Sequence, residues 1–404
     1  MGFFHLIFLF LSCVDLAPSD HIPTSVHRLR PADITVVAAL GDAATAGVAA
    51  KAKNLFDLSK RYRGVAWSIG GDASLETVTT IPNILKKFNQ KLLGFSLGQL
   101  ALRKGFNMAE PGAKSADIRA QAEALITALK KNKEVNFEQD WKLVTVFVGE
   151  MDLCNYCLDQ YNLTARRFSR NLEEALELLY QSVPRALVNV VQVLQIDTLK
   201  SVQRNTIGCS LLQRTECPCV VNPSINSLEF EEIRRINREY QAELEFLLSS
   251  DRFDRKEDFA VVLQPFLHNY FLPHVGEGEV DTSFYSLDCF HLSDRAQAEM
   301  AIALWNNMLE PVGRKTALND YTHNRSKIHC PTQDAPFIFT KMNSLSVSST
   351  APPSTPGPES STSPWTSSVT GPQPLCPPSL PVWVPVLASV GSLALVWPGP
   401  SAPA

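Results

Sequence analysis

Four stretches of this 404-residue chain are rich in β-branched and aliphatic residues and carry no charge: Ile34–Leu40, Leu143–Val148 ("LVTVFV"), Ala186–Leu194 ("ALVNVVQVL") and Phe259–Phe266 ("FAVVLQPF"). A strand that is apolar along its whole length must bury both faces, which is the condition of a parallel sheet covered on each side. Between these runs lie patterns of helical period. Asp117–Lys131 places Ile118, Ala122, Leu125, Ile126 and Leu129 on one face, and Phe168–Tyr180 and Leu228–Leu248 are similarly amphipathic. Strands alternating with helices predict an α/β fold with a mostly parallel central sheet. In such a sheet the crevice lies beyond the carboxyl ends of the strands. Gly41-Asp42-Ala43 and Gly149-Glu150-Met151-Asp152 follow directly on strands, so both are expected to line it.

The ends differ from the middle. Phe3–Leu11 ("FFHLIFLFL") is too short to span a bilayer. It fits the apolar region of a secretory signal over residues 1–17, although no Lys or Arg precedes it. Residues 343–380 are rich in Ser, Thr and Pro and suit an extended, O-glycosylated stalk. Val382–Trp397 is uncharged and mostly apolar, with Pro385 inside it and no basic residue after it. A removable GPI signal or a weak C-terminal anchor both fit, which would place the chain at the cell surface. The plainer alternatives are an ordinary apolar start and a low-complexity tail.

Net charge is −4, with no concentrated basic patch to suggest nucleic acid. There are nine cysteines. Setting aside Cys13 in the leader and Cys376 in the stalk leaves an odd number, which cannot all pair. Only Cys154–Cys157 has C-x₂-C spacing, and no second such pair follows, so local disulfides are expected rather than zinc. Sequons at Asn162 and Asn324 agree with export.

"DCFHLSDRAQAEMA", residues 288–301, sets Asp288 and His291 three apart, just before a helical stretch. Such a pair can serve one site, Asp288 taking the Nδ1 proton and leaving Nε2 free as a base. Alone, the spacing is weak. It gains weight from "VVAALGD" (36–42), "YRGVAWSIGGD" (62–72), "TTIPNILKKFN" (79–89), "FNMAEPGAKSADI" (106–118) and "FVGEMDLCNYC" (147–157). With these blocks in this order the chain resembles the phospholipase B branch of the GDSL (SGNH) hydrolase family, specifically one repeat unit of its membrane-associated members. The likeness runs from about residue 23 to 313, within a domain expected over 23–330.

The resemblance implies a three-layer α/β/α SGNH-hydrolase fold and ester hydrolysis on phospholipids or related lipid esters, with no cofactor and no metal. In that family a Ser in G-D-S attacks the carbonyl and a D-x-x-H pair activates it. The Ser amide, a Gly of the second block and an Asn in G-x-N-D form the oxyanion hole. Asp42 matches the Asp of G-D-S, but the Ser position is Ala43. Gly112 matches the second-block glycine and Asp152 the Asp of the third block, while the Asn position is Met151. Asp288 and His291 match the acid and the base. Removing a triad Ser costs on the order of 10⁶ in turnover, and losing one oxyanion donor about 10²–10³. The expectation is a degenerate, non-catalytic copy that keeps a lipid-binding crevice. The alternative is an active lipase with another nucleophile. Thr45, Ser68 and Ser115 also occur in active relatives and read as structural, as does the turn around Trp67, which lacks the G-K-[ST] of a phosphate loop.

Overall fold

In the computed structural model the described residues are Cys13, 16–276, 278–319 and 324–349. They all fall in one compact unit, Met1–Ala351. The N-terminal apolar run, the stalk beyond Ser349 and Val382–Trp397 lie outside them. Among the described residues no helix is long and apolar enough to cross a membrane.

The four charge-free runs form β1 (Ile34–Gly41), β2 (Trp141–Phe147), β3 (Ala186–Val191) and β4 (Phe259–Gln264). They make one parallel sheet in the order β1-β2-β3-β4, with Gly41 level with Phe147, Thr145 with Asn189 and Val191 with Gln264. Every residue of β2 and β3 is buried, even Lys142 ahead of the charge-free run, whose Nζ donates to the carbonyls of Phe137, Asp140 and Pro184. Three strands stop short of the expected ends, β2 by one residue, β4 by two and β3 by three. β4 closes at Gln264 because Pro265 has no N–H to give a neighbour; Leu194 turns away to line the space beyond the sheet, and Phe266 packs in the core against Trp67.

The helices are α1 (Ala43–Ala46), α2 (Ile81–Leu85), α3 (Ile118–Lys131), α4 (Glu150–Cys154), α5 (Ala165–Ser182), α6 (Gln213–Glu216), α7 (Pro218–Val221), α8 (Leu228–Ser249), α9 (Asp294–Met308) and α10 (Lys341–Ser349). Each strand moves one place in the same direction, so right-handed crossovers put α3, α5 and α8 side by side on one face. α5 meets the sheet with Phe168, Leu172, Ala175, Leu176 and Leu179, buried at helical spacing. Thr164, Ser227 and Ser293 cap α5, α8 and α9 by accepting the amides of Arg167, Phe230 and Ala296. α9 covers the opposite face, against β4 and α2.

The open edge of β1 is covered by irregular chain. Val37 N donates to Leu93 O at 2.9 Å, Met108 N to Ala39 O at 2.9 Å and Glu110 N to Gly41 O at 3.2 Å. Segment 106–110 therefore runs along β1 and delivers the Pro111-Gly112 turn to its carboxyl end.

The disulfides differ from the sequence expectation. They are not local: Cys154 pairs with Cys217, Cys157 with Cys219, Cys209 with Cys289 and Cys13 with Cys330. Cys154, the last residue of α4, and Cys157, in the short turn that follows it, both reach a facing segment, α7 and its cap. Cys13, assigned from sequence to a leader that is removed, is the partner that makes the count even. The folded body also continues past 330 and into the segment read as stalk. Asn343 Nδ2 donates to His27 O at 3.0 Å, and Ser344 is buried.

Candidate active site

The carboxyl end of β1 is shaped by a close approach of two backbones. A Cβ on Gly41, whose φ is +156°, would lie 2.3 Å from Phe147 O, so the bend into α1 requires glycine. Gln121 of α3 holds that residue from both sides, accepting Gly41 N at 2.8 Å and donating to Gly41 O at 2.8 Å. Asp42 caps α1 through Oδ1, which accepts Ala44 N at 3.1 Å. Its Oδ2 is buried without a hydrogen-bond partner. Burial pushes the Asp42 carboxyl up to about 7, with repulsion from Asp152 adding to it against the Ala44 amide and His291.

Ala43 opens α1. It is 4 % exposed and its methyl packs among Ala46, Val48, Ala49 and Ala109. No oxygen stands at this position.

Asp288 and His291, the expected acid and base, lie within hydrogen-bond reach of each other. His291 Nδ1 and Asp288 Oδ2 are 2.7 Å apart, and Asp288 Oδ1 accepts the amides of Phe290 and His291 at 3.1 and 3.0 Å. Burial alone would raise the Asp288 carboxyl. The hydrogen bonds from His291 and the two amides outweigh it and hold the group below the ordinary range. The tight loop needs Cys289 at φ +56°, fixed by the bridge to Cys209 and by Gln213 Nε2, which donates to Cys289 O at 2.8 Å. Three bonds join this loop and α9 to the chain around α1. Ser286 Oγ donates to Ala49 O at 2.9 Å, Asp294 N to Ala50 O at 2.7 Å and Gln297 Nε2 to Ala44 O at 3.0 Å.

Asp152 is a brace. Its carboxylate accepts Ser115 N at 2.8 Å and Ser115 Oγ at 2.6 Å, while Asn171 Nδ2 donates to the same hydroxyl at 2.9 Å. α4 is thereby tied to the chain just after Gly112. Burial still raises the Asp152 carboxyl despite those bonds. Gly112 takes φ +76° in an exposed turn with open space around its α-carbon. Met151, in the first turn of α4, packs its thioether on the core and offers no donor.

Beyond this end of the sheet lies a narrow apolar cleft, about 410 Å³ when the open solvent at its mouth is counted. Leu194, Leu199, Leu267, Phe290 and Met300 are among its walls, and its polar lining includes Glu150, Tyr270 and Tyr285. The space open to the centre of a water molecule is only about 20 Å³, room for one or two waters. Burial, then repulsion from Asp42 and Asp288, raises the Glu150 carboxyl well above its ordinary value. The Tyr270 and Tyr285 hydroxyls are 2.5 Å apart, and burial raises the Tyr285 phenol. Sequence reasoning set Glu150 at the crevice without a role and missed both tyrosines. Glu150 was visible as the residue after the Gly149 turn, whereas the tyrosines, fifteen apart on a loop, gave no signal.

The GDSL-like lipase/acylhydrolase family matches residues 37–304. The chain is similar to membrane-associated phospholipase B1 of Rattus norvegicus, 45% identical over 332 residues, and of Homo sapiens, 46% over 333. Each alignment covers 82% of this chain but 23% of the relative, so the chain spans about a quarter of the length of these proteins. Among solved structures it is similar to phospholipase A1 from Streptomyces albidoflavus NA297, at 12% identity and a TM-score of 0.30, covering 68% of this chain and 98% of the other.

Proposed function

This chain belongs to the GDSL-like lipase/acylhydrolase family as a phospholipase B-like member, and from that premise we propose that it is a non-catalytic copy retaining a lipid-binding crevice. The observation that carries the reading is the methyl of Ala43 at the expected nucleophile position in a chain whose Asp288–His291 pair is intact. An acyl transfer needs an atom to attack with, and a general base 2.7 Å from its orienting acid has nothing here to deprotonate. The substitution of Met151 for the oxyanion Asn removes a second element, so two independent parts of the machine are absent.

The other hydroxyls near the site are poor substitutes. Thr45 and Ser68 are sealed from solvent, and Ser115 Oγ already donates to Asp152. What remains is the cleft, with apolar walls suited to an acyl chain and polar groups at Glu150, Tyr270 and Tyr285 suited to an ester or headgroup. Its narrowness means that side chains such as Leu194 and Tyr285 must move for a lipid to enter. We place the protein in the secretory pathway, held at a membrane by the segment ending in Val382–Trp397, with glycans on Asn162 and Asn324, both exposed.

Phosphatidylcholine hydrolysis by the purified protein and its His291→Ala variant, with fluorophosphonate labelling, tests the reading. We expect no turnover above background and no label. Family-like turnover that His291→Ala abolishes would establish the alternative, an active lipase with another nucleophile.

A further inference from the structure

Two exposed apolar segments meet beside the acid–base loop. Leu55 and Phe56, on the chain that follows α1, are 53 % and 90 % exposed. Ile207 and Leu211, at 76 % and 60 %, lie four residues apart on the helical turn at 207–212 and so share a face. The two segments touch: a Cβ on Gly208 would be 3.0 Å from Leu55 Cδ2. The same turn is fixed to the site, because Cys209 is bridged to Cys289, between Asp288 and His291. Arg204 adds bonds to the carbonyls of Tyr285 and Ser286 at 3.0 and 3.3 Å. Four large apolar side chains thus stand in water on one rim of the candidate site.

The exposed charge on these two segments is basic, the next acid along the second being Glu216, two residues past Arg214. Lys51, Lys53 and Arg214 are exposed on these same two segments. The only acid in residues 49–57 is Asp57, which is buried and already paired with Lys60 at 2.7 Å, and residues 204–214 contain none. Exposed apolar residues rimmed by cations match an interface whose interior is acyl chain and whose surface is anionic. A protein partner would be expected to need complementary acids against the lysines and a larger apolar area.

We propose that Leu55, Phe56, Ile207 and Leu211 form a docking surface for an anionic lipid membrane, with Lys51, Lys53 and Arg214 at the level of the headgroups. This rests on the lipid reading of the crevice only for its choice of partner. The docked face would bring the mouth beside His291 to the bilayer, where a lipid could enter without crossing water.

Flotation with phosphatidylcholine vesicles, with and without phosphatidylserine, tests it, using a chain that ends at Ser349 and so keeps the described core and all four bridges. Binding should be stronger with phosphatidylserine and fall with added salt. Phe56→Ser with Ile207→Ser should lower partitioning on the order of a hundred-fold, since each buried large apolar side chain accounts for roughly ten-fold or more. Lys51→Glu with Lys53→Glu should act on the phosphatidylserine vesicles alone, by on the order of ten-fold or more. Circular dichroism and the melting temperature report whether each variant is folded, and the lysine pair serves if the apolar pair is not. Folded variants that float like the parent overturn the proposal. So does a parent that binds neither vesicle, which would leave the rim to a protein. Uptake of monomeric lysophosphatidylcholine separates the two readings. Its absence with vesicle docking intact sinks the crevice reading alone, whereas its presence without docking sinks this one.

Discussion

Restoring the nucleophile is the sharpest test of how much machinery survives. Ala43→Ser adds one oxygen at the start of α1, where Asp42 already caps the helix through the Ala44 amide at 3.1 Å. The base proposed to meet that oxygen is His291, oriented by Asp288 at 2.7 Å. Loss of a triad Ser costs on the order of 10⁶ in turnover, so the reverse change should recover much of that factor. It recovers less than all of it because Met151 leaves the oxyanion short of one donor, a deficit of about 10²–10³, or roughly 3–4 kcal/mol. The single change should therefore raise hydrolysis of a short-chain nitrophenyl ester by roughly 10³–10⁴ over the parent. Adding Met151→Asn should contribute a further 10²–10³ or so. Met151→Asn alone should do nothing, since a better oxyanion hole is idle without an attacking atom. Fluorophosphonate should label the Ala43→Ser chain and not the parent. A folded double variant that is neither labelled nor more active than the parent would refute the reasoning. The Asp288–His291 pair would then not face the start of α1, whatever its internal geometry.

Asp42 offers a pH-dependent test. Its folded value is raised to about 7, so from the ordinary carboxylate range up to about 7 the folded chain holds a proton that the unfolded chain releases. Stability contributed by this group therefore falls as pH rises through that window, and the full cost is present above it. Asp42→Asn keeps the capping acceptor and cannot titrate. Its melting temperature should exceed the parent's at pH 8, with the gap closing toward pH 4; a less stable variant at pH 8 would count against a costly buried carboxylate. Replacing Cys209 and Cys289 together by Ser opens a bridge between residues 80 apart and should cost about 2–5 kcal/mol, read as a lowered denaturation midpoint. Expression in mammalian cells should give a product whose mobility shifts on glycosidase treatment. That shift should be lost in two steps with Asn162→Gln and Asn324→Gln, and an unmodified cytosolic product would rule out export.

The four strands and the helices α3, α5 and α8 were legible in the residues because each follows from a local rule. A charge-free run such as "LVTVFV" can only be a strand buried on both faces. A stripe such as Phe168, Leu172 and Leu176 can only bury as a helix. Asp288 and His291 were legible for the same reason, since three residues before a helix cap suffice to join a carboxylate to a ring nitrogen. The absence of an oxygen at Ala43 is a fact of covalent chemistry and needs no fold at all. Other features were decided only when distant chain met. The edge of β1 is covered by 93 and 106–110, which have no periodic pattern because their bonds go to β1 and not to a ladder of their own. The pairing of eight cysteines depends on which turns face each other, and so Cys13 and Cys330, 317 residues apart, could not be matched by spacing. Glu150, Tyr270 and Tyr285 carry no common motif, yet three separate segments bring them to one cleft. The raised pKa values of Glu150 and Tyr285 come first from burial and then from neighbouring charge, which are properties of distance in space and are invisible in distance along the chain.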